Sequence, residues 1–151
     1  MINSFQLQGF DIICLSTSEW EHPWGSKQQL MARLAKSNRV AYIEYQPSFL
    51  HIFKYPLLFI KRLKDLRLGL KKIDKNLFIF TPPPLFPFGY YSLYINKINQ
   101  LILLEIIKKI SKRLNFKNVI LWIYTPNAFE LLNKFNGRLS VYHCIADSSN
   151  E

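Results

Sequence analysis

Residues 10–33, FDIICLSTSEWEHPWGSKQQLMAR, combine an apolar run, a polar aromatic loop and a helical repeat in direct succession. The run from Phe10 to Leu15 is too short for a buried helix and is followed by hydroxyl residues, which predicts a buried parallel strand. Beyond the loop, apolar residues recur at helical spacing up to Ala35, and Ser26 is the expected N-cap. Ligands of open α/β sheets bind beyond the carboxyl ends of the strands, so this loop is predicted to line a binding site.

The remaining chain repeats the alternation of strand and helix. Four further β-branched and aromatic runs predict strands, and three segments with helical spacing predict helices. This alternation is typical of a parallel α/β sheet with right-handed crossovers, and 151 residues make one domain. The chain ends soon after its last predicted strand, with no helix to cover it, so we expect a truncated domain. The predicted strands are 39–45, 76–80, 118–124 and 139–145, and the predicted helices are 57–73, 93–114 and 128–135.

The chain is strongly basic, with a formal net charge of +10. A field of one sign concentrates the opposite sign, so we expect an anionic partner: a membrane surface, a nucleic acid or a phosphorylated substrate. No secretory signal opens the chain, and four prolines between 82 and 87 interrupt the longest uncharged stretch, which predicts no spanning helix. Cys14 and Cys144 lie in strand-like runs, which predicts reduced core thiols and a cytoplasmic protein.

The predicted helix from Leu57 to Ile73 is basic and amphipathic. Its apolar residues recur at three- and four-residue spacing, while its cations fall mostly elsewhere. One interpretation is an ordinary surface helix docked on the sheet. The other is a helix that contacts anionic lipid headgroups, helped by aromatic side chains such as Phe49. The membrane-facing residues are then Lys61, Arg62, Lys64, Arg67, Lys71 and Lys72.

Several classes of site are missing from the sequence. The five glycines form neither a dinucleotide fingerprint nor a phosphate-binding loop, which argues against an NAD or ATP domain. The aspartates are far apart in sequence, so no paired carboxylates are available to hold a divalent cation. The three histidines lack zinc-site spacing, and no serine-nucleophile elbow is present. Neither a metal nor a cofactor is therefore predicted.

Polar and aromatic residues instead follow the predicted strand ends. Tryptophan faces stack on the apolar face of a sugar ring, whereas hydroxyls and amides pair with its hydroxyl groups, so this set favours a carbohydrate. Asp147 is the candidate proton acceptor for an attacking hydroxyl. Each residue also has a structural interpretation: the tryptophans as loop anchors, His22 as a satisfied structural residue, and Asp147 as a helix cap. The predicted binding residues are Ser16, Ser18, Trp20, His22, Trp24, Gln46, Thr125 and Asn127.

Four segments together resemble the N-terminal half of bacterial GT-B glycosyltransferases of the group 1, family 4-like type. They are WGSKQQLMARLA at 24–35, RVAYIE at 39–44, LWIYTP at 121–126 and VYHCIAD at 141–147. The likeness covers the whole chain in order and is strongest to enzymes of teichuronic-acid and capsular-polysaccharide assembly. Gly25, Lys27 and Tyr124 lie within these segments and join the predicted binding residues. Relatives carry three acids at the end of the last strand, and here Asp147 alone remains.

The resemblance implies a Rossmann-like parallel sheet with helices on both faces. It implies that residues 1–151 form the incomplete acceptor-side domain of a GT-B enzyme whose donor-binding domain is absent. Such an enzyme moves a hexosyl group from a nucleotide-sugar donor to a hydroxyl of a lipid-linked or cell-surface glycan without a metal, and the isolated chain is expected to be inactive. The implied location is the cytoplasmic face of the cell membrane, with an anionic membrane surface as partner. No nucleic acid is expected, because the basic residues cluster on one helix without a recognisable motif. The alternative hypothesis is a non-enzymatic, basic peripheral membrane-binding module.

Overall fold

A computed structural model places six strands in one sheet. The structure describes residues 7–21, 23–54, 57, 60, 69–89, 91–128 and 131–144, and every strand and helix named below lies within those ranges. The strands are β1 (Asp11–Leu15), β2 (Arg39–Ile43), β3 (Leu70–Asp74), β4 (Leu77–Phe80), β5 (Val119–Ile123) and β6 (Leu139–Tyr142). The helices are α1 (Ser26–Leu34), α2 (Phe49–Lys54), α3 (Leu93–Leu114) and α4 (Leu131–Lys134), with a 3₁₀ turn at Pro126–Ala128.

The strands lie in the order β3-β4-β2-β1-β5-β6. Every neighbouring pair is parallel except β3 and β4, which are antiparallel. Leu15 at the end of β1 is opposite both Ile43 of β2 and Ile123 of β5, so the three central strands finish together. Because β1 has β2 on one side and β5 on the other, the strand order reverses at β1, which is where open α/β sheets bind ligands.

Alternate residues of the central strands enter two separate cores. Ile13 and its face of the sheet pack in a cluster that contains Ile107 and other apolar residues of α3. Ile12 and the opposite face pack in a second cluster that contains Met31 of α1. Successive strand residues point to opposite faces, so these clusters show a sheet with helices on both sides. The predicted α/β class is confirmed, and the mostly parallel sheet is consistent with a Rossmann-like arrangement.

An ion pair between the buried Asp11 and the half-buried Arg39 holds the amino edge of the sheet together. The carboxylate of Asp11 accepts from the Arg39 side chain at 2.7 Å and from the backbone N–H of Lys117 at 2.7 Å. Arg39 also donates to the carbonyls of Leu114 and Asn115, each at 3.1 Å. These carbonyls belong to the end of α3, where a cation is favoured by the helix dipole, so one pair joins β1, β2 and α3.

The predicted basic helix is wrong at its C-terminal end. Lys71 and Lys72 lie in β3, an edge strand that pairs with β4 through a two-residue turn. Lys71 forms an ion pair with Glu21 at 3.0 Å, and the ammonium of Lys72 lies 5.9 Å from the centre of the Phe78 ring. Backbone pairing with β4 outweighed the helical periodicity of these residues. Because that pairing is antiparallel, the sheet is mostly rather than wholly parallel. Lys61, Arg62, Lys64 and Arg67 lie outside the described residues.

Other element boundaries agree more closely with prediction. Helix α3 has the predicted bounds, with Ser92 accepting at its N-cap and Asn115 ending it in the left-handed region at φ 50°. The predicted helix 128–135 is described as the 3₁₀ turn and the short α4. Cys14 is a buried free thiol, whereas Cys144 is exposed, so the prediction of a core thiol is wrong for Cys144. Among the described helices, none is both long and apolar enough to cross a membrane.

Candidate functional site

The candidate site lies at the carboxyl edge of the sheet, around β1. The backbone N–H of Ser16 donates to Ile43 at 2.9 Å, and that of Tyr124 donates to Leu15 at 3.0 Å. These bonds extend the hydrogen-bonding pattern of the sheet one residue past the strands. The residues that follow β1, β2 and β5 therefore begin side by side at the carboxyl edge. The predicted strand-end residues of β1 and β5 are thereby neighbours.

Three hydroxyl groups form a cluster directly beyond β1. The hydroxyl of Tyr42 lies 2.5 Å from that of Ser16 and 3.0 Å from that of Ser18, and the two serine hydroxyls are 3.2 Å apart. Ser16 and Tyr42 are fully buried. Burial raises the pKa of Tyr42 to about 12, opposed by its hydrogen bonds with both serines. The Tyr42 hydroxyl therefore stays protonated near neutrality, and the cluster fixes the start of the loop.

The two loop tryptophans have different environments. Trp20 is only 6% exposed and packs edge-on against Tyr42 at 5.1 Å and against Trp24 at 5.3 Å between ring centroids. Trp24 is 56% exposed. Trp20 therefore anchors the loop in the core, in agreement with its structural interpretation, and Trp24 presents an indole face to solvent that is able to stack on a ligand ring.

A buried carboxylate that sequence reasoning missed orients this loop. Glu44 follows β2 and accepts from the backbone N–H of Trp20 at 2.8 Å and from the hydroxyl of Thr81 at 2.6 Å. The residue predicted after β2 is Gln46, whose side chain donates to the backbone carbonyl of Glu44 at 2.6 Å. The available signal was an acid placed directly after a buried strand, since such an acid needs partners.

The N-terminus of α1 faces the same edge. Gly25, not the expected Ser26, is the N-cap, and its N–H donates to the side chain of buried Gln28 at 3.2 Å. The other end of that amide donates to the carbonyl of Glu19 at 3.0 Å, which ties the loop to the helix. A glycine is acceptable at this position because the Gln28 side chain, rather than a capping hydroxyl, reaches back to the cap.

Lys27 brings a positive charge to this helix end. Its ammonium group donates to the hydroxyl of Thr17 and lies 5.8 Å from the centre of the Tyr124 ring. The first turn of α1 contains no acidic residue. The ammonium and the helix dipole therefore combine at one end of α1, where they favour an anionic or strongly polar group.

Unpaired polar atoms lie at the end of β5. The Tyr124 hydroxyl, the Thr125 hydroxyl and the indole N–H of Trp122 are buried, and within the part of the chain that the structure describes none forms a hydrogen bond of good geometry. Burial raises the pKa of Tyr124, opposed in part by the neighbouring Trp122 side chain, and the protonated hydroxyl is able both to donate and to accept. The His143 ring lies 4.9 Å from that of Tyr124 and 5.9 Å from that of Trp122. Buried groups of this kind are normally satisfied, so they point to a polar partner at this position.

Of the remaining predicted site residues, Asn127 is bonded through its backbone, and two lie outside the described residues. The backbone carbonyl of Asn127 accepts from Asn96 at 3.4 Å and from the Gln100 side chain, which fixes the 3₁₀ turn on α3. His22 and Asp147 lie outside the described residues. No group of three metal-ligating side chains occurs among residues that the structure covers.

A polar cleft of about 420 Å³ opens at the opposite, amino edge. Its principal side chains already serve the fold. Asp11 and Arg39 form the ion pair described above, and Asn38 donates to the carbonyls of Leu7 and Leu34 while accepting from Phe10. Because these groups are satisfied internally and lie away from the carboxyl strand ends, this cleft is the weaker candidate.

Comparison with known proteins returned no match: no family model, no curated protein and no solved structure corresponds to this chain. A function for the chain is therefore argued from its own residues. The strongest argument is the carboxyl edge, where Lys27 lies beside Tyr124 and the exposed Trp24 lies in the loop that follows β1.

Proposed function

We propose that this chain is the acceptor-side domain of a GT-B glycosyltransferase and that its carboxyl edge binds a carbohydrate. In this proposal a nucleotide sugar supplies the transferred sugar, and a hydroxyl of a lipid-linked or cell-surface glycan receives it. The observation that carries the proposal is the combination of an exposed indole, Trp24, with unpaired hydroxyls at Tyr124 and Thr125 on one edge of the sheet.

This combination suits the two surfaces of a sugar. The C–H face of a pyranose is apolar and stacks on an aromatic ring, so Trp24 is the proposed platform. The hydroxyl groups of the same sugar both donate and accept, which matches the unpaired Tyr124 and Thr125 hydroxyls. Lys27 adds a cation beside them, which favours an acceptor that carries a carboxylate or a phosphate.

The remaining parts of the proposed reaction are assigned to other groups. Donor binding belongs to a second domain outside these 151 residues, as the resemblance of the WGSKQQLMARLA and LWIYTP segments implies. Asp147 is the proposed proton acceptor for the attacking hydroxyl. The proposed location is the inner face of the cell membrane, where lipid-linked acceptors are extended.

Carbohydrate titration of the purified chain tests this proposal. Methyl glycosides of neutral hexoses, N-acetylhexosamines and uronic acids are added in turn while tryptophan fluorescence is recorded. We expect at least one class to change the emission, and we expect Trp24→Ala to abolish the response because the stacking platform is gone. Tyr94→Ala is the matched control, since Tyr94 is an exposed aromatic residue on another element, α3.

Two results would contradict the proposal. One is the absence of any response to all three sugar classes, which would show that the carboxyl edge does not bind a carbohydrate. The other is hydrolysis or transfer from a nucleotide sugar by the purified chain alone, which would contradict its assignment to the acceptor side.

The alternative function, a basic membrane-binding module, relied on a helix that continued to Ile73. Residues 70–73 of that predicted helix lie instead in the edge strand β3, Leu70–Asp74. The cations of that part therefore do not extend an amphipathic helix, and the alternative receives no support from Lys71 or Lys72.

A further inference from the structure

Five large apolar or aromatic side chains are exposed around the loop that joins β4 to α3. Tyr91 and Tyr94 are 90% and 82% exposed. Soluble proteins seldom display such side chains together unless the surface has a binding role. We call this group the aromatic patch, and its members are Phe86, Phe88, Tyr91, Leu93 and Tyr94.

The aromatic patch is held in place by polar groups beneath it. Asn99 of α3 is buried, and its side chain accepts from the N–H of Phe86 at 2.9 Å and donates to the carbonyl of the same residue at 3.0 Å. Leu85 donates to Pro47 and accepts from the N–H of Phe49, both at 3.0 Å. The rings of Phe49 and Phe86 lie 5.9 Å apart. The backbone is thus fixed by hydrogen bonds while the patch side chains remain outside the core.

The patch lies on the same side of the molecule as the candidate carbohydrate site. Helix α3 runs against the strands, because its last carbonyl, Leu114, receives a hydrogen bond from Arg39 at the amino edge. Its first residues, Leu93 and Tyr94, are therefore toward the carboxyl edge. The loop itself leaves β4 at Phe80, whose carbonyl accepts from the N–H of Glu44 at 3.0 Å.

Charge identifies the kind of surface that suits this patch. No acidic residue occurs between Lys75 and Glu105, and the charged residue within that stretch is Lys97, one turn after Leu93. Of the five cations of α3, Lys97 lies near the patch and the other four lie toward the amino edge, while the whole chain has a net charge of +10. Tyrosine and phenylalanine settle at the interface between lipid headgroups and acyl chains, and cations nearby are attracted to anionic lipids.

We propose that the aromatic patch docks on the interface of an anionic lipid bilayer. Tyr91, Leu93 and Tyr94 enter the interface, and Lys97 lies at headgroup level. This orientation directs the carboxyl edge of the sheet toward the membrane. The proposal does not depend on carbohydrate binding, because it rests on a separate set of residues.

Vesicle sedimentation tests the docking surface. The purified chain is mixed with large vesicles of phosphatidylcholine alone, or of phosphatidylcholine with phosphatidylglycerol, and the bound fraction is measured at several lipid concentrations. We expect stronger binding to the anionic vesicles. The variant Tyr91→Ser/Leu93→Ser/Tyr94→Ser is expected to bind at least about tenfold more weakly, because each removed side chain loses a substantial part of its apolar transfer free energy.

The matched control is Leu139→Ser. Leu139 is also exposed, but it begins β6 opposite Ile120 and so lies toward the amino edge. We expect this variant to bind vesicles as the unaltered chain does. Far-ultraviolet circular dichroism of both variants checks that they fold alike, which is expected because all four substituted side chains are at least half exposed.

Three results would overturn the proposal. The first is an unaltered chain that binds neither kind of vesicle. The second is a triple variant that binds anionic vesicles as strongly as the unaltered chain, since another surface would then make the contact. The third is a dimer in sedimentation velocity that the triple variant abolishes, which would make a second copy of this chain the occupant. Sugar titrations are performed without lipid, so a failure of either proposal is distinguishable from a failure of the other.

Discussion

Removing the Glu44 carboxylate is expected to release the loop that carries both site tryptophans. Glu44 is nine-tenths buried and holds the backbone of Trp20 on one oxygen and the hydroxyl of Thr81 on the other. Hydrogen bonds to a charged group contribute roughly 1.5–3 kcal/mol each, so Glu44→Ala is expected to lower the free energy of unfolding by about 3 kcal/mol. The buried N–H of Trp20 is left without its acceptor, which adds to the loss.

Glu44→Gln separates the role of the hydrogen bonds from that of the charge. The amide oxygen still accepts from the N–H of Trp20, and the amide nitrogen donates to the hydroxyl of Thr81 with its role reversed. We therefore expect this variant to lose only about 1 kcal/mol, the part that comes from the ionised acceptor.

Urea unfolding followed by tryptophan fluorescence measures both losses. Glu105→Ala is the control, because Glu105 is an exposed acid paired with Lys108 at 2.8 Å and exposed ion pairs contribute little to stability. The reasoning is refuted if Glu44→Ala is as stable as the control variant. It is also refuted if the alanine and glutamine variants are equally destabilised, since the retained hydrogen bonds would then have no value.

Three further predictions concern the rest of the framework. Asp11→Ala is expected to cost about 3 kcal/mol in urea unfolding, because Arg39 and a backbone N–H lose their acceptor. The unaltered chain is expected to lose stability between pH 10 and 12, because the unfolded chain releases the Tyr42 proton near pH 10 whereas the folded chain keeps it up to a pKa of about 12. The free energy of unfolding falls by up to about 1.4 kcal/mol per pH unit in that window. Tyr42→Phe is expected to make this fall smaller. Gly89→Ala is expected to lower the melting temperature, because its methyl group would meet the Asn99 amide at 2.8 Å.

Each of these predictions has a contrary result. An Asp11→Ala variant within about 0.5 kcal/mol of the unaltered chain would show that the amino-edge pair contributes little. If the free energy of unfolding depends on pH equally in the unaltered chain and in Tyr42→Phe, Tyr42 is not the group whose titration lowers stability. An unchanged melting temperature for Gly89→Ala would show that the Asn99 side chain moves without cost.

The sequence by itself determined the class of the fold and much of its framework. Alternating strands and helices predicted an α/β sheet with parallel strands, and the long apolar stretch predicted α3 from Leu93 to Leu114 without error. These features follow from local periodicity, which depends on neighbours within a few residues of the chain. The position of the Trp20 loop at the carboxyl edge also followed from its place directly after β1.

The tertiary structure alone decided which residues of that edge are exposed and which are buried. Trp20 and Trp24 are equivalent in sequence terms, and contact with Tyr42 buries one while the other stays exposed. Glu44 gained its role from partners 24 and 37 residues away. Lys71 became a strand residue because β4 offered it a backbone partner. Such outcomes depend on contacts between distant segments, and local periodicity carries no information about them.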